Sequence, residues 1–320
     1  MNDLQEVSQF ENILEKFFLE RDLSASSKIS YKINIRQFIH WLNETDRTAK
    51  FLSGKIDKTD ILHYRNDLRK TEHSARTINA YIACLRQFFA FLESYRFYSV
   101  NPAANIKGDS IQSGHAKDDL SLKQVKEILD SIDRKDSAGI RDYAINILKY
   151  LTALRDVEIS RANIEDIRVN SGEYILHIHG KGRTETDRSV EFIILKEPVY
   201  KAVIEYLHSG GRTLDSKGPL FISESKRNKK KRISVKTVQR AIIDPIKRLG
   251  YKTHRITSHS TRHTAISLAY EAGASQEELM EFARHKDPKT TRIYTHKKNR
   301  FQSNAETKLT DFFLKTDSTD

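Results

Sequence analysis

Apolar side chains recur every three or four residues through the first third of the chain. Phe10, Ile13, Leu14, Phe17 and Phe18 make one such stripe, and Ile35, Phe38, Ile39 and Leu42 make another. This spacing puts the side chains of each set on one face of a helix. Residues 77–92 carry Ile78, Ile82, Leu85, Phe88, Phe89 and Leu92, the single apolar face of an amphipathic helix. Between the stripes sit Ser26, Ser27, Lys28, Tyr31, Lys32, Arg36, Arg76, Thr77 and Arg86. Such polar faces suit phosphate contacts, which fix position without reading sequence, and a merely solvated face is the plain alternative for any one of them. Asn101-Pro102 closes the block, because proline disfavours helix in the residue before it. Gly108, Ser110, Ser113 and Gly114 then give the composition of a linker.

The pattern changes beyond the linker. A helix beginning at Asp119 or Ser121 carries Val125, Ile128, Leu129 and Ile132, and residues 141–154 form another, with Ile145, Leu148 and Leu151 on one face. Residues 174–179 alternate as a strand, 180–187 read as a turn and 189–195 as a returning strand. Helical spacing resumes over 197–207, 234–249, 259–271 and 276–283, and no internal repeat is visible. The expected fold is mainly α with a small β-sheet. A helical domain spans 1–107, a linker 108–118, and a mixed α/β domain 119–320.

Composition narrows the partner. The 320 residues suffice for two domains with cores of their own, and 38% apolar with 31% charged residues reads as globular. Lysine and arginine number 55 against 43 acidic residues, a formal net charge of +12. Such an excess points to a polyanion, since basic side chains displace the counterions condensed on nucleic-acid phosphates. The run Ser225-Lys226-Arg227-Asn228-Lys229-Lys230-Lys231 reads as a flexible basic loop that touches phosphate, an inert solvated loop being its plain alternative. No uninterrupted apolar run approaches the ~20 residues that span a bilayer, and the acidic, polar residues 1–9 carry no secretory signal. Cys84 is the single cysteine, which excludes an internal disulfide and a cysteine-based metal site, and it reads as a core residue among Ile82, Leu85 and Phe88. Together these features favour a cytoplasmic, nucleoid-associated protein without a membrane partner.

The chemistry concentrates in the second block. Arg155 follows a helix end, and Lys181 sits in the tight His179-Gly180-Lys181-Gly182 turn. His259 and Arg262, three apart, share one helix face. His285 lies just past a short helix, and Tyr294 follows a helix start at Asp287-Pro288. Two guanidiniums can grip one phosphodiester and stabilise the added charge of a pentavalent transition state. Two imidazoles can donate hydrogen bonds and move a proton, and neighbouring cations favour the phenolate of a tyrosine whose ordinary pKa is about 10. A lysine in a turn can protonate a departing oxygen. Such a site calls for no metal or other cofactor, and no carboxylate cluster suited to two metals is evident.

In their order and local contexts these residues resemble the tyrosine recombinase family of phage integrases and Xer proteins. Thr152-Ala153-Leu154-Arg155-Asp156-Val157-Glu158-Ile159 resembles its first-arginine box, and His259-Ser260-Thr261-Arg262-His263-Thr264 its His-x-x-Arg-His-Thr box. His179-Gly180-Lys181-Gly182-Arg183 is similar to its lysine hairpin, and Ala283-Arg284-His285 through Tyr294-Thr295-His296 to its closing histidine and nucleophile. The resemblance implies a SAM-like core-binding domain followed by the recombinase catalytic domain. It implies that Arg155 and Arg262 clamp the scissile phosphate, His259 and His285 assist, Lys181 protonates the leaving 5′-oxygen and Tyr294 forms a 3′-phosphotyrosine. Glu158 looks like the acidic residue that supports the site; an exposed helical glutamate is its plain alternative. Also implied are strand exchange through a Holliday junction, by a tetramer on two DNA duplexes, and the possibility of an accessory protein.

Two positions depart from the family pattern. Ala153 stands where the family usually has glycine, and Ala283-Arg284 where it has Leu-Gly. A side chain there costs little at ordinary φ and much at positive φ. Past Tyr294, the apolar cluster Leu309, Phe312, Phe313 and Leu314 must bury itself, and the family often packs this tail on a neighbouring protomer. The length is expected to leave no room for the extra arm-binding domain of many phage integrases, which favours an Xer-type resolvase or a compact mobile-element integrase. Three rivals stand: a type IB topoisomerase, which shares the residue types but relaxes supercoils; a catalytically dead DNA-binding regulator, which has no need of Tyr294; and an RNA-binding module, which the charge tolerates but the motifs do not suggest.

Overall fold

The computed structural model describes residues 2–21, 23–111, 118–179, 191–225, 230–285, 287, 288 and 291. Lys181, Tyr294, residues 226–229 of the basic run, 112–117 of the expected linker and the tail 306–320 lie outside the described residues. The chain divides into two compact units, Met1–Gly114 and His115–Asp320.

The first unit is helical: α1 (Asn2–Leu19), α2 (Ala25–Glu44), α3 (Thr48–Leu52), α4 (Lys58–Lys70) and α5 (Ala75–Ser94). Helix starts follow the local chemistry. The Ser24 and Ser74 hydroxyls accept the N–H groups of Ser27 and Thr77, and Asp57 with Asp60 forms a reciprocal capping box. The apolar stripes meet in a core rich in rings, where Phe17, Phe38, Phe51, Phe88 and Phe89 are buried. Edge-to-face pairs such as Phe38–Tyr64, with centroids 5.1 Å apart, lock that core. Cys84 is buried within it, and burial pushes its thiol up to about 12, so it is inert there. Arg86 has a partner within the fold: its Nη2 donates to the Ile106 carbonyl at 3.0 Å, which ties the chain after α5 back onto that helix.

The second unit contains α6 (Leu122–Asp130), α7 (Ser137–Thr152), α8 (Asp156–Arg161), a 3-10 turn (Ile164–Asp166), β1 (Ile167–Asn170), β2 (Glu173–Ile178), β3 (Glu191–Ile194), α9 (Glu197–Ser209), α10 (Val235–Arg248), α11 (Ser258–Glu271) and α12 (Gln276–Ala283). Helix α7 runs through the middle, in contact with α6, α9, α10 and α11. It is therefore buried nearly all round, from Ala144 to Tyr150, and Leu151 is 48% exposed instead of sharing a face with Ile145 and Leu148. The sheet is antiparallel in the order β1-β2-β3, with Leu176 opposite both Ile167 and Ile193. Strand β1 was not legible in sequence. Its residues Ile167, Arg168, Val169 and Asn170 do alternate apolar and polar, but the run is only four residues long and Val169 is exposed, so the alternation marks no buried face. A small apolar cluster of Ala153, Ala265, Ile266, Leu279 and Ala283 joins the end of α7 to α11 and α12.

Candidate active site

The site is built where two helices end in the same unusual way. After α7, Ala153 turns out of the helix at φ +50°, ψ +27°. After α12, Arg284 does the same at φ +50°, ψ +50°. Both angles are left-handed, the region glycine enters freely and other L-residues at a cost of order 1 kcal/mol or more. The two departures from the family pattern thus fall where a side chain is costly. Each turn frees the next residue to leave the helix axis: Arg155 starts α8, and His285 follows α12.

Arg262 joins the two turns. It lies on α11, whose start is fixed by a capping box between Thr257 and Ser260. Its guanidinium is 2% exposed, with Nη1 donating to the Ala153 carbonyl and Nη2 to the Ala283 carbonyl. One buried cation therefore holds the peptides just before Arg155 and His285 in register. His259, one turn earlier on α11, is exposed and makes an edge-to-face contact with His263, ring centroids 5.0 Å apart.

Arg155 is the N-cap of α8 and keeps a side chain 38% exposed. Glu158 folds back on it: Oε2 accepts the Arg155 N–H at 2.7 Å, and Oε1 accepts Arg155 Nη1 at 2.7 Å. Glu158 is only 2% exposed, so the reading of it as an exposed helical glutamate is overturned. Arg284 Nη2 donates to the same carboxylate at 2.8 Å. Burial pushes the Glu158 carboxyl up, but the Arg284 guanidinium and the Arg155 amide and guanidinium outweigh it and hold the group below its usual range.

His285 Nδ1 lies 3.0 Å from the hydroxyl of Thr291, which is fully buried, so any chemistry by the ring falls to Nε2. Burial, followed by the cations Arg262, Arg155 and Arg284 and by His259, lowers its pKa to about 4. The ring is thus neutral at physiological pH and able to accept a proton. Arg155, His259, Arg262, His285 and Glu158 come together around the two turns, while Lys181 and Tyr294 lie outside the described residues.

Reading the sequence alone missed Lys149, Asp156, Arg284 and Thr291 as parts of this site. Lys149 carried a faint signal, a lone charge in the apolar run 144–150 with an acid seven residues on. Arg284 carried one too, as a large residue where glycine was expected.

Residues 118–300 match the Phage integrase family, and residues 9–95 match the Phage integrase, N-terminal SAM-like domain. The chain belongs to the phage integrase family. Among its curated relatives, Tyrosine recombinase XerA of Pyrococcus furiosus is 30% identical over 286 residues, 88% of each chain. Tyrosine recombinase XerD of Listeria monocytogenes serotype 4b is 28% identical over 310 residues, 92% of this chain and 94% of the relative. In fold, the chain is similar to the XerH site-specific recombinase in its post-cleavage complex, with TM-score 0.72 and 18% identity over 96% of this chain and 89% of that one. It is also similar to the Tn1549 transposon integrase in complex with transposon right end DNA, with TM-score 0.66 and 16% identity over 92% and 98%. As a tyrosine recombinase this protein is an enzyme of site-specific recombination, one that cleaves and rejoins DNA. Among the described residues no helix is long and apolar enough to cross a membrane.

Proposed function

We propose that this recombinase cuts duplex DNA with Tyr294 as the nucleophile and the cluster around the two left-handed turns as the phosphate site. The observation that carries this reading is the convergence of Arg155, Arg262 and His285, tied together through the carbonyls of Ala153 and Ala283. Two guanidiniums close enough to act on one neutral imidazole favour an anion of concentrated charge. Arg155 and Arg262 bind the non-bridging oxygens. The Tyr294 oxygen attacks phosphorus and its proton passes to the histidine pair. The bond from phosphorus to the 5′-oxygen breaks, Lys181 protonates that oxygen, and a 3′-phosphotyrosine remains. The phosphotyrosine keeps the bond energy, so a second 5′-hydroxyl can reseal the strand without ATP and pass through a Holliday junction.

In this reading residues 1–107 form the core-binding domain, 108–118 the linker and 119–320 the catalytic domain. The net charge of +12 supports a DNA partner, as does the fold shared with a XerH structure bound to its palindromic difH substrate. A tetramer on two duplexes, in the cytoplasm on the nucleoid and with an accessory protein where the system needs one, completes the proposal. The tail 306–320 docks on a neighbouring protomer: its deletion is expected to spare DNA binding and weaken synapsis. Whether the duty is Xer-type dimer resolution or mobile-element integration and excision depends on where the recombination site lies.

The test is a nicked suicide duplex bearing the cognate site, incubated without metal and run on a denaturing gel. Wild type is expected to give a covalent adduct and Tyr294→Phe none. Specific binding without an adduct would point to a missing activator or partner, or else to the dead-binder reading, and relaxation of supercoils with no site dependence would favour a topoisomerase.

A further inference from the structure

Arg284 combines two costs. Its backbone sits at φ +50°, ψ +50°, where a Cβ is crowded. Its side chain is 5% exposed, so a guanidinium is withdrawn from water. An arginine that persists under both conditions is explained by what it holds. Nη2 lies 2.8 Å from Glu158 Oε2, and Nε lies 3.9 Å from a carboxylate oxygen of Glu191. The Arg155 N–H shares that Glu158 Oε2, and Arg155 Nη1 takes Oε1. Arg284 thus backs the carboxylate whose other side holds Arg155. It links three pieces of chain: the start of α8, the turn into His285, and the first residue of β3, the strand that follows residues 180–190.

We infer that Arg284 is a positioning residue for strand cleavage, locking Glu158 in the ionised form that aims the Arg155 guanidinium at the scissile phosphate. The inference rests on the phosphate site proposed above. An ionised carboxylate can accept the Arg155 amide, the Arg155 guanidinium and Arg284 at once; a protonated one loses an acceptor and becomes a donor. The Arg155 side chain, 38% exposed, would then lose the contact that orients it. The charges facing Glu158 are Arg155 at the cap of its own helix, Arg284 from the end of α12 and Lys149 from α7. Glu191 faces Arg284 from β3, and His285 adjoins it in the chain. Arg284 is the largest of the influences that lower the Glu158 pKa, so its removal raises that pKa and carries the active form toward higher pH.

The experiment compares wild type, Arg284→Gly and Arg284→Lys in single-turnover adduct formation on the suicide duplex, from about pH 5 to about pH 9. Glycine suits the left-handed backbone, so this variant removes the charge without straining the turn; thermal denaturation run alongside shows that it folds. The expected result for Arg284→Gly is an acid limb displaced upward by about one pH unit, with cleavage about threefold slower near pH 5 and little loss above about pH 7. Arg284→Lys, which keeps the charge, recovers most of the acid limb. A wild-type profile in Arg284→Gly would overturn the proposal, and so would a loss equal at every pH, the sign of a merely structural defect. No adduct in wild type would overturn the phosphate-site reading and this inference with it. An active wild type matched by Arg284→Gly would overturn the inference alone.

Discussion

Lys149 Nζ lies 2.6 Å from Asp156 Oδ1, with the lysine side chain fully buried. The same ammonium donates to the Leu154 carbonyl at 2.8 Å. The pair clasps the turn at Ala153 from inside, bolting the last turn of α7 to the first of α8. Asp156 passes the connection on, accepting the Ser258 hydroxyl at 2.9 Å at the start of α11 and the Gln239 amide at 3.3 Å on α10. Burial pushes the Asp156 carboxyl up, but Lys149, Ser258 and Gln239 outweigh it and keep it below the usual carboxylate range. The helices that carry Arg155, His259 and Arg262 thus meet at one largely enclosed carboxylate, 11% exposed.

Removing one member of a buried pair strands the other. Lys149→Met is expected to lower unfolding stability by about 3 to 5 kcal/mol, because Asp156 and the Leu154 carbonyl lose their main partner. Chemical denaturation of Lys149→Met, Asp156→Ala and the double variant would measure it. A single-variant loss under about 1 kcal/mol would show that the pair does not hold the turn.

Ala153→Gly sets two effects against each other. Glycine relieves left-handed strain of about 1 to 2 kcal/mol. Loss of the methyl group, fully buried in the small apolar cluster, costs about 0.8 kcal/mol plus a small cavity. The net expectation is a variant as stable as wild type, or more stable by up to about 1 kcal/mol. A melting temperature several degrees below that of wild type would mean that packing of the methyl group outweighs the strain.

His285 should remain neutral well below the pH at which an exposed histidine charges. Its folded pKa of about 4 lies under the ordinary value of 6.5. The unfolded chain therefore takes up the proton first as pH falls. This contribution to stability is intact above about pH 6.5 and declines toward pH 4, where the folded state also accepts the proton. The ring resonances of His285, assigned by comparison with His285→Asn, are expected to stay in the neutral form at pH 5.5; a midpoint near 6.5 would contradict the geometry. His285→Asn should also flatten the fall in stability across that window.

The helices were readable because each buries one face. The stripe over residues 77–92 corresponds to α5 (Ala75–Ser94), and the 276–283 periodicity to α12 (Gln276–Ala283). Legibility failed where burial is not one-sided. Strand β1 is short and mostly exposed, and α7 is enclosed on nearly all sides, so the direction in which Leu151 faces was decided by its neighbours rather than by its spacing. Sequence does not show the Ile106 carbonyl that Arg86 serves, because that carbonyl lies 20 positions along the chain.

The same division runs through the site. The order of Arg155, Lys181, His259, Arg262, His285 and Tyr294, with the residue types around each, pointed to the family, because residue type and order are written in the sequence itself. Sequence also marked Ala153 and Arg284 as departures. Only the tertiary structure decided that both sit at positive φ, that Arg262 spans their helix ends, and that Glu158 and Lys149 are buried partners rather than surface charges. The reason is physical. Burial, a left-handed turn and the strength of an ion pair depend on which distant segments exclude water around a residue, and the partners of Glu158 lie 3 and 126 positions away along the chain.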